Sequence, residues 1–493
     1  MQRIDTLIHN GTVVTMDLER RVLENHSVAV DGGRILDIGP AEDLQRRYQA
    51  AKMLDARRHV IMPGMVDLHA HAGTSLLKGI GERLPGGPWR NVMDFVAYNT
   101  SEEWWYVESL LASLEKLKCG TTTSLYMLGC APRGDSPGIA YRNAEAVDKI
   151  GIRSVCGIGP SRPPWPRVYT YWDGKRRVER EITLEETFDQ TDEAIGSWNA
   201  RADSRVKLWV SVSRMLNENP NDPVYDPENR QYIRPQLEGI SRIMRKHDVG
   251  FHVHAYGTAG KFLYQNNEFS LLGPKTVLAH GWPFDLETVD ILAKTDTRVA
   301  HCPRARRVYH YSGRLPLPEL IKAGVTVGIG SDACGNDRPF DSLFEDMFIA
   351  PRWQRLELHD PYLLPPGKML EMATIDGAKA LGMDDRIGSI EVGKDADIIL
   401  IDMYTPQAVP LVMETSRLAS LVRGADVKTV MVQGQILMED RKVKTVNEAE
   451  VCEWAQQEAL NTIDVFGLRP LMEPSVRQWG ASRTSPERSA ARQ

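Results

Sequence analysis

The sequence predicts an α/β fold: a (β/α)8 barrel (TIM barrel) with a small β-sandwich domain built from both chain ends. Three observations carry that expectation. Short β-type runs broken by turn signals occupy residues 1–60, apolar runs alternating with helical patterns follow Pro63-Gly64, and short β runs return after residue 384. The chain of 493 residues, 42% hydrophobic and 26% charged, is long enough for a large barrel plus a satellite domain and can bury a sizeable core.

Taken in order, residues 1–60 form the N-terminal part of the sandwich through TLIHNGTVVTMD and SVAVDGGRILDIG, where Asp31-Gly32-Gly33 is hairpin chemistry. The barrel fills residues 61–384. Its eight candidate strands fall at Met65–His69, Thr121–Leu125, Arg153–Ile158, Lys207–Val212, Gly250–His254, Thr276–His280, Arg298–His301 and Val325–Ser331. Helical patterns such as SEEWWYVESLLASLEKLK and RPQLEGISRIMRKHD separate them. The stretch from Pro160 to Arg205, with Pro163-Pro164-Trp165-Pro166, Tyr169, Tyr171 and Trp172, is atypical and reads as an insertion on a βα loop. It serves either as a packed aromatic cap or as a lid over substrate. Residues 385–445, with RIGSIEVGKDADIILID and VKTVMVQGQILMED, complete the sandwich. Residues 446–493 hold a helical piece, EAEVCEWAQQEALNTI, and a Ser/Arg-rich end expected to be disordered.

Charge narrows the function. With 60 basic and 66 acidic residues the net charge is −6, which offers no bulk field for nucleic acid or an anionic membrane and favours a small-molecule substrate. The six cysteines are scattered, with no CxxC pair, which suits a reducing compartment and a cytoplasmic location. The N-terminus lacks a signal-peptide pattern, and no stretch reaches the ~18 consecutive apolar residues of a membrane span.

Chemistry concentrates at the predicted strand ends. In VDLHAH, His69 and His71 stand at i and i+2 on one strand face, so both imidazoles can approach one metal at the C-terminal mouth of the barrel. Three other strands end in ligand-type residues: His254 in FHVHAYG, His280 in TVLAHGW and Asp332 in VGIGSDACG. Such a histidine set with a carboxylate suits a borderline-soft divalent ion such as Zn²⁺, and the same donors accept Fe²⁺ or Mn²⁺. His252 shares the face parity of His254 and stands as an alternative ligand.

The succession VDLHAH, HVHAYG, LAHGW, VAHCPRARR and GIGSDACGND resembles the amidohydrolase superfamily. Within it, the chain looks most like the cytosine deaminase and triazine hydrolase branch of aminohydrolases and chlorohydrolases, through HAGTSLLKGI and CGTTTS. The likeness continues through ATIDGAKALGM, IGSIEVGKDADIILID and VMVQGQIL to about Asp440. It implies that His69, His71, His254 and Asp332 ligate one metal ion, and that His280 sits beside the bound water or substrate. Asp332 would then accept the proton of the attacking water, while His280 stabilises developing charge or adds a ligand. The resemblance also implies a homo-oligomer. The implied reaction is hydrolytic cleavage of a C–N bond in a heterocyclic or amidine-like substrate, or displacement of chloride, with amide, urea or carbamate hydrolysis as the alternative.

Departures from the family pattern bear on that choice. Many deaminases of this branch read His-x-x-Glu at the fifth strand, the glutamate protonating a ring nitrogen; here the matching position is Gly257. HAYGTAG also looks like the HAHG segment of binuclear relatives that use a carboxylated lysine. Lys207 is the candidate for that lysine, or else an ordinary strand-start residue. After the seventh strand, Arg304, Arg306 and Arg307 replace the usual residues and either hold a substrate carboxylate or form a solvated helix start. Trp89 is a candidate for stacking on a planar ring, whereas Trp104 and Trp105 read as core. Asn336 and Asp337 contact substrate or fix their loop through Asx turns. Cys302 and Cys334 have no sequence-local base and read as non-nucleophilic.

Overall fold

The computed structural model describes residues 1–80, 84, 86–129, 133–173, 176–217, 226–305, 313–333 and 342–472. Eight parallel strands form a nearly closed barrel in chain order: β1 (Met65–Ala72), β2 (Thr121–Leu128), β3 (Arg153–Ile158), β4 (Val206–Arg214), β5 (Phe251–Tyr256), β6 (Thr276–Trp282), β7 (Arg298–His301) and β8 (Val327–Ile329). Every residue of β1, β2 and β6 is buried, as expected of strands covered on both faces. Closure falls at the mouth, where Ala70 bridges Asp332 and the Asp332 N–H donates to the His69 carbonyl at 2.8 Å. β1 runs three residues past its expected end, and β8 is shorter than expected, so Asp332 follows its strand rather than ending it.

Both chain ends share one further sheet of nine strands. Its central junction is His59–Pro63 paired antiparallel with Ile398–Asp402. The predicted hairpin is present: Asp31 pairs with Arg34, and Gly32 and Gly33 take the positive φ values of 56° and 80° that its tight turn requires. This sheet is tied to the barrel by Arg153 on β3, whose guanidinium reaches Asp397 and Asp395, both at 2.7 Å.

The insertion after β3 folds as a hairpin, Arg167–Asp173 with Arg176–Ile182, followed by the helix Leu184–Asn199. Trp165 and Tyr169 are buried, so its aromatic part is packed. Trp104 and Trp105 are core residues, as expected, and Trp104 Nε1 donates to Thr462 Oγ1 on the C-terminal helix Glu448–Val465. The Ser/Arg-rich end lies outside the described residues.

Just past β3, the chain passes so close to β4 that a Cβ on Gly159 would lie 1.9 Å from the Ser211 carbonyl oxygen. Backbone cannot yield there as a flexible side chain would. Gly159→Ala is therefore expected to destabilise the barrel by about 1–3 kcal/mol or more. Urea unfolding measures it, and an unchanged midpoint would contradict the close approach.

Candidate active site

Five side chains meet at the C-terminal mouth because five strand-end positions carry them: His69 and His71 on β1, His254 on β5, His280 on β6 and Asp332 directly after β8. His280 and Asp332 both have positive φ, 79° and 62°, conformations that non-glycine residues adopt at a cost and that recur at functional sites.

Hydrogen bonds to backbone carbonyls set which nitrogen of each neutral imidazole carries the proton. Val277 O lies 3.0 Å from His252 Nδ1 and can only accept, so His252 Nδ1 is the donor and its Nε2 is an acceptor. That acceptor faces His69 Nδ1 at 2.7 Å, which must therefore donate, leaving His69 Nε2 unprotonated. The same logic applies twice more: His71 Nδ1 donates to Gly129 O at 2.8 Å and His254 Nδ1 to Ser213 O at 2.6 Å. Three Nε2 lone pairs are thus presented to one another. His71 Nε2 and His254 Nε2 lie only 3.1 Å apart, and His69 Nε2 is buried without a hydrogen bond. The ligand nitrogens of His69, His71 and His254 fall within 4.8 Å of one another.

Asp332 Oδ1 completes the cluster, 3.2 Å from His71 Nε2 and 3.5 Å from His69 Nε2. Burial pushes His69, His252 and His254 below the ordinary histidine value, and neighbouring imidazoles add to it. Neutral imidazoles with converging lone pairs beside a carboxylate form a donor set that fits a divalent cation. His252 belongs behind this set: both of its nitrogens are engaged, and it fixes the tautomer of His69.

His280 stacks on His254 (centroids 5.2 Å apart, planes 21°) and on Tyr256 (5.1 Å, 15°), which holds its ring at the side of the cluster. Behind β1, the buried Asp67 accepts from His69 N at 3.3 Å, Ser331 N at 3.0 Å and Ser331 Oγ at 2.5 Å, and pairs with the buried Lys116. Asp67 thereby joins the two strands that supply His69, His71 and Asp332. Its place inside VDLHAH was the available signal; nothing in EKLK marks Lys116.

Among the described residues, the cleft over the cluster is also lined by Arg90, Met93, Arg162, Ser213, Arg214 and Tyr256. This corrects two expectations. Trp89 is fully buried, and its helix turns Arg90 and Met93 to the cleft instead, because Trp89 occupies the helix face that packs into the core. Arg304 is buried and clamped by Asp346, at 3.0 and 2.7 Å, and by Glu345 at 2.9 Å, so two carboxylates of the chain hold the guanidinium assigned to substrate. Arg306, Arg307, Cys334, Asn336 and Asp337 lie outside the described residues.

Lys207 sits at the opposite end of β4, its Nζ donating to the carbonyls of Asn199 and Arg201. It cannot bridge ions at the mouth, where that strand presents Ser213 and Arg214. Gly257 has positive φ, and nothing lies within 4 Å of where a Cβ would be, so the structure has room but no carboxylate there.

An amidohydrolase-family model matches residues 60–437, and the chain belongs to the amidohydrolase family. A short imidazolonepropionase-like composite domain of bacteria matches residues 28–48. A 5-methylthioadenosine/S-adenosylhomocysteine deaminase of Syntrophobacter fumaroxidans is 30% identical over 455 residues, 92% of this chain and 97% of that protein. A 5'-deoxyadenosine deaminase of Methanosarcina mazei is 28% identical, covering 92% and 98%. Among solved structures, an adenosine deaminase from Xanthomonas campestris with bound zinc superposes with a TM-score of 0.78 at 24% identity, covering 94% of this chain and 99% of that one. The atrazine chlorohydrolase of Arthrobacter aurescens TC1 complexed with zinc gives 0.75 at 18%, covering 92% and 100%. The protein is thus a hydrolase of non-peptide C–N bonds. No helix among the described residues is long and apolar enough to cross a membrane.

Proposed function

We propose that the chain is a mononuclear metal-dependent aminohydrolase that displaces an amine from a planar C=N carbon of a small heterocycle. The observation that carries this reading is the convergence of the His69, His71 and His254 lone pairs on Asp332. These four residues would hold one divalent ion, Zn²⁺ by the chemistry of the donors, with Fe²⁺ or Mn²⁺ accepted by the same set. Such an ion, when bound, supplies Lewis acidity that brings the pKa of a water towards about 7.

The chain's own groups do the rest. The Asp332 carboxylate accepts the proton of the attacking water as the C–O bond forms, and returns it to the departing nitrogen as the C–N bond breaks. His280, braced by His254 and Tyr256, is held where charge develops on the attacked carbon's substituents. With Gly257 in place of a glutamate, no carboxylate on β5 shares the proton transfer. That absence gives a second reading, hydrolysis of an amide, urea or carbamate, whose leaving nitrogen Asp332 alone can protonate. The scattered cysteines support a cytoplasmic enzyme, and the family resemblance supports a homo-oligomer.

Metal content per chain, measured alongside ammonia release from aminopurines, aminopyrimidines and aminotriazines, tests the proposal. About one ion per chain is expected, with turnover lost on chelation and restored by Zn²⁺. Full turnover in chelated protein would overturn the metal assignment. Release of ammonia only from amides or ureas would replace the first reaction with the second.

A further inference from the structure

His71 is the second-last residue of β1, so the chain that leaves this strand bears directly on the candidate site. Thr74 and Ser75, three and four positions further on, are buried, and their main-chain N–H groups need acceptors inside the protein. Both find the same one. Thr74 N and Ser75 N each donate to Glu108 Oε1 at 3.1 Å. Glu108 stands on the helix Glu102–Lys118, which joins β1 to β2, and is fully buried.

A buried carboxyl group is costly to keep, and among the described residues Glu108 has no ion-pair partner to offset that cost. Hydrogen bonds take the partner's place. Ser109 Oγ donates to Glu108 Oε2 at 3.4 Å, and Asn143 Nδ2, on the helix Pro137–Ile150, donates to Ser109 Oγ at 2.7 Å. One oxygen of Glu108 is thus braced from behind while the other holds the loop.

The opposite side of the same strand end is tied to the end of β2. Gly129 N donates to Ala72 O at 3.0 Å, and Gly129 O accepts from His71 Nδ1 at 2.8 Å. The exit of β1 is therefore held twice, by Gly129 beside it and by Glu108 two residues beyond. A ligand side chain keeps its geometry only when its supports hold it to within about 0.5 Å.

We propose that Glu108 is a positioning residue of the candidate metal cluster: its hold on the loop after β1 fixes the end of that strand, and with it the His71 imidazole against His69, His254 and Asp332. The proposal rests on the metal-dependent reading and adds to it a residue that acts through His71. Glu108 matters here for the acceptor it presents. Because Thr74 and Ser75 are buried, solvent cannot take over that role, and a loop deprived of it must shift to find another.

The test compares Glu108→Leu, Glu108→Asp and Glu108→Gln in the full-length chain. Leucine removes the acceptor, aspartate stops one methylene short of the loop, and glutamine keeps an oxygen at the same reach. Zn²⁺ affinity is measured by competition with a chromophoric chelator, below the unfolding temperature of every variant. It is expected to fall at least about tenfold in the first two and to stay within about threefold of wild type in the third. In chelator-stripped protein, hydrogen exchange should quicken at residues 72–77 in the same two variants. Ile398→Ala, in the core of the nine-stranded sheet, supplies a destabilised protein with the mouth untouched and should keep wild-type Zn²⁺ affinity. Wild-type affinity in the leucine and aspartate variants overturns the proposal, as does an equal loss in Glu108→Gln or in Ile398→Ala. The aspartate variant decides the matter if the leucine variant fails to fold. The two readings fail distinguishably. A wild type that takes up no Zn²⁺ overturns the metal reading and this proposal with it, whereas ordinary Zn²⁺ binding by every variant overturns this proposal alone.

Discussion

Asp332→Asn should lower kcat/KM by about 10³-fold or more while the protein stays folded. The side chain is both the candidate base and the fourth member of the candidate metal cluster, so on the proposed reading asparagine removes the proton acceptor and weakens the hold on the ion together. Folding should survive for a backbone reason. Asp332 has φ 62°, a conformation asparagine tolerates as well as aspartate, and the barrel-closing bond runs from its main-chain N–H to His69 O. Ammonia release, metal stoichiometry and thermal unfolding on the same preparation check the claim. Retention of a tenth or more of wild-type kcat/KM would remove Asp332 from the role of base.

Lys116→Met is expected to cost about 3–5 kcal/mol, the penalty for leaving a buried charge without its partner. Lys116 and Asp67 are both fully buried, and Asp67 also receives the main-chain N–H groups of His69 and Ser331. Removing the ammonium leaves that carboxylate isolated beneath the candidate metal cluster. Lys116→Met/Asp67→Asn should recover much of the loss, because asparagine keeps an acceptor for those N–H groups without the charge. Urea unfolding of the single and double variants measures the coupling. Equal stability of the two variants would mean that the ion pair contributes little. Because Asp67 ties β1 to the residue before Asp332, the single variant should also bind Zn²⁺ more weakly.

Much of the barrel was legible because its signals are local. Buried parallel strands read as short apolar runs, and β3 and β7 match their expected bounds. The i, i+2 pair His69 and His71 needs no tertiary information to share a face, and His254, His280 and Asp332 stand at equivalent points of their own strands. Strand parity could not choose between His252 and His254, and only the family resemblance pointed to His254. In the structure His252 spends its second nitrogen, Nε2, on His69 Nδ1, whereas His254 keeps Nε2 for the cluster.

Trp89 and Arg304 misled for a common reason: residue type suggests what a side chain can bind but not what already holds it. Trp89 lies within the core, and Arg304 meets Asp346 and Glu345, some forty residues further along the chain. From its sequence alone, then, this protein's fold class and its metal-type residues could be derived, because strand periodicity and strand-end residues are properties of short segments, while its chemistry of C–N hydrolysis was implied by the resemblance of its motifs to the amidohydrolase superfamily. The tautomers of the histidines, the Asp67–Lys116 support and the hold of Glu108 on the loop after β1 were decided only by tertiary structure. Each depends on groups from distant segments that become neighbours when the barrel closes.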